Sequence, residues 1–378
     1  MRSLVQITIG LQYNRPVPTR STLLGRGRCW YNAPSMEQNT PKRQWQIWVG
    51  ILVGLACLAA VFFFYARPGE IIENLRHIHW LYLFLGALGV VAFLLLRAVR
   101  WRFMLDNSVP YGQVFHIQNI GYMLTQLLPL RLGDVARAIL IGNVPPVTLT
   151  QGISTMVVER LLDMLFIVVL LPFTLSGVTA LPEWMRSFAL ASGFAAIAGI
   201  VILVMAANQR RRALDILDRL MARLLPFLNR ERWLHRFDGL LVGLKSLTTL
   251  RDGFTLTILS ILIWIPIIVA YFFIMMAVGL EPTWVMAGFV VCAAAFSVAV
   301  PSTPGQAGPY HFAVITALQL YGQPAVESAS FAFLYHVANI VIMIIFGIIG
   351  ILGTGVTFRN VLSSAQAFVA GQRADQTP

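Results

Sequence analysis

Charge is scarce in this chain. Asp, Glu, Lys and Arg make up only 12% of its 378 residues, about half the ~25% that a soluble domain carries. That shortage excludes an ordinary water-facing surface. Acidic residues are scarcer still, 16 against 28 Lys and Arg, which leaves a net charge of +12. Cysteine occurs three times, at Cys29, Cys57 and Cys292. With no CxxC and no Cys/His cluster, a disulfide framework and a zinc site are both unexpected. GxSxG, HExxH and a DxD-like pair are all missing, so no catalytic residue, metal ligand or cofactor is expected.

What the chain has instead is long apolar sequence. Hydrophobic residues reach 57%, and the mean hydropathy is +0.73. Residues 47–64, IWVGILVGLACLAAVFFF, hold no charge, and a span needs roughly 20 apolar residues. Runs of this kind predict six transmembrane helices near 45–65, 80–103, 152–175, 186–207, 254–279 and 329–353. The basic balance then reads as a bias of cytoplasmic loops. A nucleic-acid partner is not expected, because no segment is long enough to form a folded basic domain. Residues 1–43 read as a disordered or mis-started basic extension. Residues 356–378 read as a polar tail.

Two segments between spans, 112–142 and 284–321, could each be a membrane-inserted hairpin; the first, with His116, Gln118, Asn119, Thr125 and Gln126 before Pro129, is too polar for a lipid-facing span. Residues 114–128 as a helix reach only about 22 Å at ~1.5 Å per residue, short of the ~30 Å hydrocarbon core. Charge settles their expected path. The 208–253 segment holds ten Lys/Arg against five Asp/Glu and should be cytoplasmic, as should the Arg97, Arg100 and Arg102 cluster closing the second span. The connections at 176–185, 280–283 and 322–328 carry one acid each and no base, and should face outward. Each of the two odd segments must then return to the side it left, as a re-entrant helical hairpin. Residues 208–253, with leucines among the basic residues, read as an amphipathic surface linker. The expected fold is therefore all-α and integral to the membrane, with pseudo-repeats at 80–175 and 254–353 in inverted topology, a transporter pattern.

Three constellations carry the candidate chemistry. In the first, Pro129 ends a helix, and Arg131, Asp134 and Arg137 follow at spacings of three. The second is Glu159, Arg160 and Asp163 within an apolar span, where charge is expensive and usually functional; Arg160 could pair with a neighbouring carboxylate or with Asp134. The third is the break Pro304, Gly305 and Gly308, followed by Tyr310 and His311. His336 and Asn339, with Tyr335, repeat in the last span the i, i+1, i+4 spacing of Glu159, Arg160 and Asp163.

The motifs LLPLRLGDVARA at 127–138, VVERLLD at 157–163 and VPSTPGQAGPYH at 300–311 together resemble the flippase-like integral membrane region of lysylphosphatidylglycerol synthases and their stand-alone relatives. The resemblance runs from about residue 45 to 355. It implies a substrate-binding role for Arg131, Asp134, Arg137, Glu159, Arg160, Asp163, Pro304, Gly305 and Gly308. Asp134 stands where Glu is common, and His311 where many relatives carry Glu. The soluble aminoacyl-transferring domain is not seen, so the expectation is no enzyme but a translocator of a phospholipid or other polar lipid. It would sit in the cell inner membrane with both termini cytoplasmic. A homodimer and a separate lipid-modifying enzyme are the candidate protein partners. The rival readings are an ion-coupled small-solute transporter and a non-transporting accessory protein.

Overall fold

In the computed structural model, residues 44–128, 132–175, 209–224, 250–297 and 304–356 are described, with isolated positions between 178 and 238. The expectations for 1–43, Arg131 and 357–378, and most of those for 186–207 and for 225–249, lie outside the described residues. The chain opens with α1 (Gln44–Phe64) and α2 (Pro68–Arg76), which meet at a 77° bend. Then come α3 (Trp80–Met104), α4 (Tyr111–Leu127), α5 (Leu132–Gly142) and α6 (Leu149–Leu175). An amphipathic α7 (Arg210–Leu224) leads to α8 (Leu250–Ala277), α9 (Trp284–Ser297), a 3₁₀ turn at Pro304–Gln306, α10 (Pro309–Leu320) and α11 (Ala325–Thr354).

Among the described residues, three helices are long and apolar enough to cross a membrane: α3, α8 and α11. The bent α1–α2 pair would make four. α6 is as long, at 27 residues, but carries Glu159, Arg160 and Asp163. Apolar side chains line the outer faces of these helices at helical spacing. On α3 they are Leu81, Phe84, Leu88, Leu95 and Val99; on α11, Val337, Val341, Ile345 and Ile348. Water would not tolerate exposed apolar stripes of this length, whereas lipid does. The polar residues turn inward instead. This is a multi-pass membrane protein.

The short helices pair as hairpins. α4 has 17 residues and α5 has 11, about 26 and 17 Å at ~1.5 Å per residue, so neither alone spans a ~30 Å core. They run antiparallel: a Cβ on Gly133 would collide with the Gly121 carbonyl and Thr125, and one on Gly121 would lie 2.9 Å from the Cβ of Arg137. α4 stops at Leu127 because Pro129 follows and disfavours helical backbone before it. α9, with 14 residues, and α10, with 12, form the second pair. Its tip meets the tip of the first, since a Cβ on Gly305 would lie 3.3 Å from the Gln126 carbonyl.

Packing between helices relies on small residues, as is common in lipid, where close backbone approach replaces the hydrophobic drive. Gly86 and Gly89 of α3 lie against Ile274 and Pro266 of α8, while Gly347, Gly350 and Gly353 of α11 face Met123 and His116 of α4. α9 packs on α6 as α4 packs on α11. α1 rests on α10, where Gly308, at φ +101°, abuts the backbone of Gly54. Tyr65 and Thr316 share a hydrogen bond of 3.2 Å at the same contact.

Candidate functional site

A cavity of about 250 Å³ lies where the two hairpin tips meet. α6 and α11 supply facing polar walls: Arg160 and Asp163 on one, Tyr335, His336 and Asn339 on the other. The matched spacings in the sequence thus converge on one space. Gln126 at the end of α4, and Gly305 with Gln306 at the tip of the second hairpin, close it further, and Arg97 and Tyr271 also line it. Gln306 holds φ +63°, a left-handed conformation uncommon outside glycine.

Behind the α6 wall is a network of buried charge. Glu159 Oε2 accepts from Arg137 Nη2 at 2.7 Å, and its Oε1 accepts from Arg97 Nη2. The same Arg97 nitrogen donates to Asp163 Oδ2, whose other oxygen accepts from Arg100 Nη2 at 2.8 Å. Arg137 Nη1 donates to the Tyr122 hydroxyl at 3.2 Å. Its guanidinium lies 4.5 Å from the centre of the Trp101 ring, and Trp101 Nε1 is held by Thr155 at 3.1 Å. Arg160 Nη2 donates to Asp134 Oδ2 at 2.7 Å. The chain places these groups by helical arithmetic: Glu159 and Asp163 share one face of α6, Arg97 and Trp101 one face of α3, at spacing four.

Arg100 and Arg137 are fully buried and spent on carboxylates. Arg97 and Arg160 also reach the cavity. The Arg160 side chain keeps 34% of its exposure and has one ion-pair partner among the described residues. Among the described residues, four guanidiniums, on Arg97, Arg100, Arg137 and Arg160, stand against three carboxylates, on Asp134, Glu159 and Asp163. The network therefore carries one surplus positive charge.

On the other side, His311 is buried, and its Nδ1 accepts the Gly308 N–H at 3.3 Å, capping α10. It stacks on His336 at 4.7 Å and does not line the cavity. Tyr310 does, with its ring 5.1 Å from that of His336. Asn339 turns a weak contact to Met343 Sδ at 3.8 Å. Pro304 opens the 3₁₀ turn that bends the tip.

Two placements go beyond the sequence reading. Arg97 and Arg100, expected at the cytoplasmic end of the second span, sit in α3 and are paired to α6, because α6 lies alongside. Only Arg102 of that cluster serves the loop, donating to the Val109 carbonyl at 3.0 Å. Arg137 does not face the cavity; Glu159 and Tyr122 hold it inside. Arg97, Arg100, Tyr122 and Tyr271 are additions. Arg97 and Arg100 had a signal, a spacing of three with Trp101 beside them inside a long apolar helix. Tyr122 and Tyr271 had none that separates them from other aromatic residues of an apolar helix.

Apolar helices outside and a charged, half-closed chamber inside define a polytopic membrane protein built around a polar site. The model of the lysylphosphatidylglycerol synthase TM region matches residues 47–347, which include the whole cavity. The chain belongs to that family. No curated protein and no solved structure matches it.

Proposed function

We propose that the chain translocates a lipid with a phosphate-bearing head group between the leaflets of the plasma membrane, without covalent chemistry on that lipid. The observation that carries this reading is the cavity at the meeting point of the hairpin tips, with Arg97 and Arg160 on its wall. A head group crossing the bilayer must exchange water for protein hydrogen bonds, while its tails remain in hydrocarbon. A space of about 250 Å³ lies below the ~300–1,000 Å³ of drug-sized pockets. It suits a head group and not a whole lipid. Arginine is the matched donor for phosphate, because its planar fork presents two parallel N–H groups.

The inverted repeat belongs to this reading. α3, α4, α5 and α6 correspond in order to α8, α9, α10 and α11. Exchanging the two sets leaves the packing pairs unchanged, since α3 on α8 maps to itself and α4 on α11 maps to α9 on α6. Two hairpins of opposite orientation meeting tip to tip would put the site near the midplane, as in transporters built from discontinuous helices. The first hairpin would open to the cytoplasm and the second to the exterior, with both termini cytoplasmic.

The test is leaflet-resolved lipid transport in vesicles holding the purified full chain. The expected result is movement of a phospholipid well above that of protein-free vesicles. Uptake of small solutes with no movement of any lipid would make the chain a solute transporter instead.

A further inference from the structure

We infer that the transported head group is a net anion whose remainder is uncharged and hydroxyl-bearing, and not the cationic aminoacylated lipid that the family's description suggests. This rests on the translocation reading above.

A cationic head group needs a carboxylate to receive it. Asp163 is the one carboxylate on the cavity wall among the described residues, and both its oxygens already accept from arginine, Oδ1 from Arg100 and Oδ2 from Arg97. Glu159 behind it is equally committed, to Arg97 and Arg137. An incoming ammonium would have to displace a guanidinium from a buried pair. The surplus charge argues the same way. One positive charge is left over among the seven groups, in surroundings that screen it poorly. A head group of net charge −1 cancels it, a zwitterion leaves it standing, and a cation adds to it.

Arg160 has donors to spare. A guanidinium offers five N–H groups, and one of its nitrogens serves Asp134. The facing wall is polar but uncharged in its amides and hydroxyls: Tyr335 and Asn339, with Gln126 and Gln306 at the hairpin tips. These groups both donate and accept, which is what alcohol hydroxyls require. Aromatic rings could hold an ammonium by their faces, but three of those on the wall already have partners: Phe93 and Tyr122 face the Arg97 guanidinium at 5.2 and 5.6 Å, and Trp264 stacks on Phe166 at 5.0 Å. Tyr271 and Tyr335 lie tilted against each other at 4.2 Å, as do Tyr310 and His336 at 5.1 Å.

The full chain in vesicles should be given acyl-labelled phosphatidylglycerol, phosphatidylcholine and lysyl-phosphatidylglycerol in separate runs. The expected result is phosphatidylglycerol moving at least about tenfold faster than the other two, a difference of ~1.4 kcal/mol. Equal or faster movement of the choline or lysyl lipid overturns the substrate class and leaves translocation intact. If no lipid moves, translocation fails. The three lipids are then compared as ligands by the shift each gives to the melting temperature in detergent; a shift from phosphatidylglycerol alone supports the charge preference, and equal shifts overturn it. Asn339→Asp supplies a second arm, since it adds a carboxylate to the wall at nearly constant size. It should slow phosphatidylglycerol about tenfold and narrow the preference against the lysyl lipid. An unchanged preference in a folded Asn339→Asp protein overturns the inference.

Discussion

Arg137 and Arg160 are both paired arginines of one network, yet they should respond differently to substitution. Arg137 is 1% exposed and bonded to Glu159 and Tyr122. Removing one partner of such a pair leaves a buried charge uncompensated, at a cost of about 3–5 kcal/mol. Glu159→Gln is therefore expected to lower the melting temperature in detergent markedly, whatever its effect on transport. Arg160 is one-third exposed, and its ion pair should contribute far less. Arg160→Gln is expected to fold with little loss of stability yet lose most of its lipid transport. Parallel melting and vesicle measurements check both, and transport that falls only in step with stability would make Arg160 structural. The carboxylates of this network were legible in the sequence because charge inside an apolar run is conspicuous. Arg97 and Arg100 showed only a spacing of three beside Trp101, which did not give their role: at the end of a run, a paired arginine and a flanking loop arginine look alike until the neighbouring helix is known.

At the level of elements, segment length, polarity and the charge of the flanking connections made the two helix pairs readable, and Pro129 marked where the first of them breaks. The helices bracketing Pro129 and Pro304 have 11–17 residues, each short of a ~30 Å core. The contacts between hairpins were not readable, since they depend on backbone approach. Gly308 is the sharpest case. Its φ of +101° suits glycine alone, and a Cβ there would strike the carbonyl of Gly54. Gly308→Ala is expected to destabilise the protein by roughly 1–3 kcal/mol through backbone strain and to loosen α1 from α10. Limited proteolysis between α1 and α2, compared with wild type, would report the loosening; an unchanged digestion pattern would mean that α1 is held elsewhere. The exposed amphipathic helix α7 was legible in part. Its basic positions Arg211, Arg212 and Arg219 are exposed, while Met221 is buried.

For the whole molecule, the decisive quantity is which side each hairpin opens to. Single cysteines at Pro146, between α5 and α6, and at Gln323, between α10 and α11, are expected to react with a membrane-impermeant thiol reagent from opposite sides, the first from the cytoplasm. Cys29, Cys57 and Cys292 should be replaced beforehand. Labelling of both sites from one side would remove the inverted repeat and with it the midplane placement of the cavity. Charge counting alone carries this orientation, so the experiment tests the positive-inside argument directly. Membrane residence itself was plain from composition, because only lipid accepts so much apolar surface facing outward.

The ion pairs joining α3 to α6 also set a schedule. Arg97 precedes Glu159 by 62 residues and Arg100 precedes Asp163 by 63. At ~5–20 residues per second of synthesis, α3 exists for about 3–13 seconds before its partners have been made. During that interval Arg97 and Arg100, in the last third of a helix that also carries Arg102, each oppose insertion by up to ~2.5–3.5 kcal/mol, the cost at a helix centre. A nascent chain stopped before residue 159 should therefore hold α3 incompletely inserted, and one extended past residue 163 should complete it. For this protein, the second half of the charge network is expected to complete the entry of the first half into the bilayer.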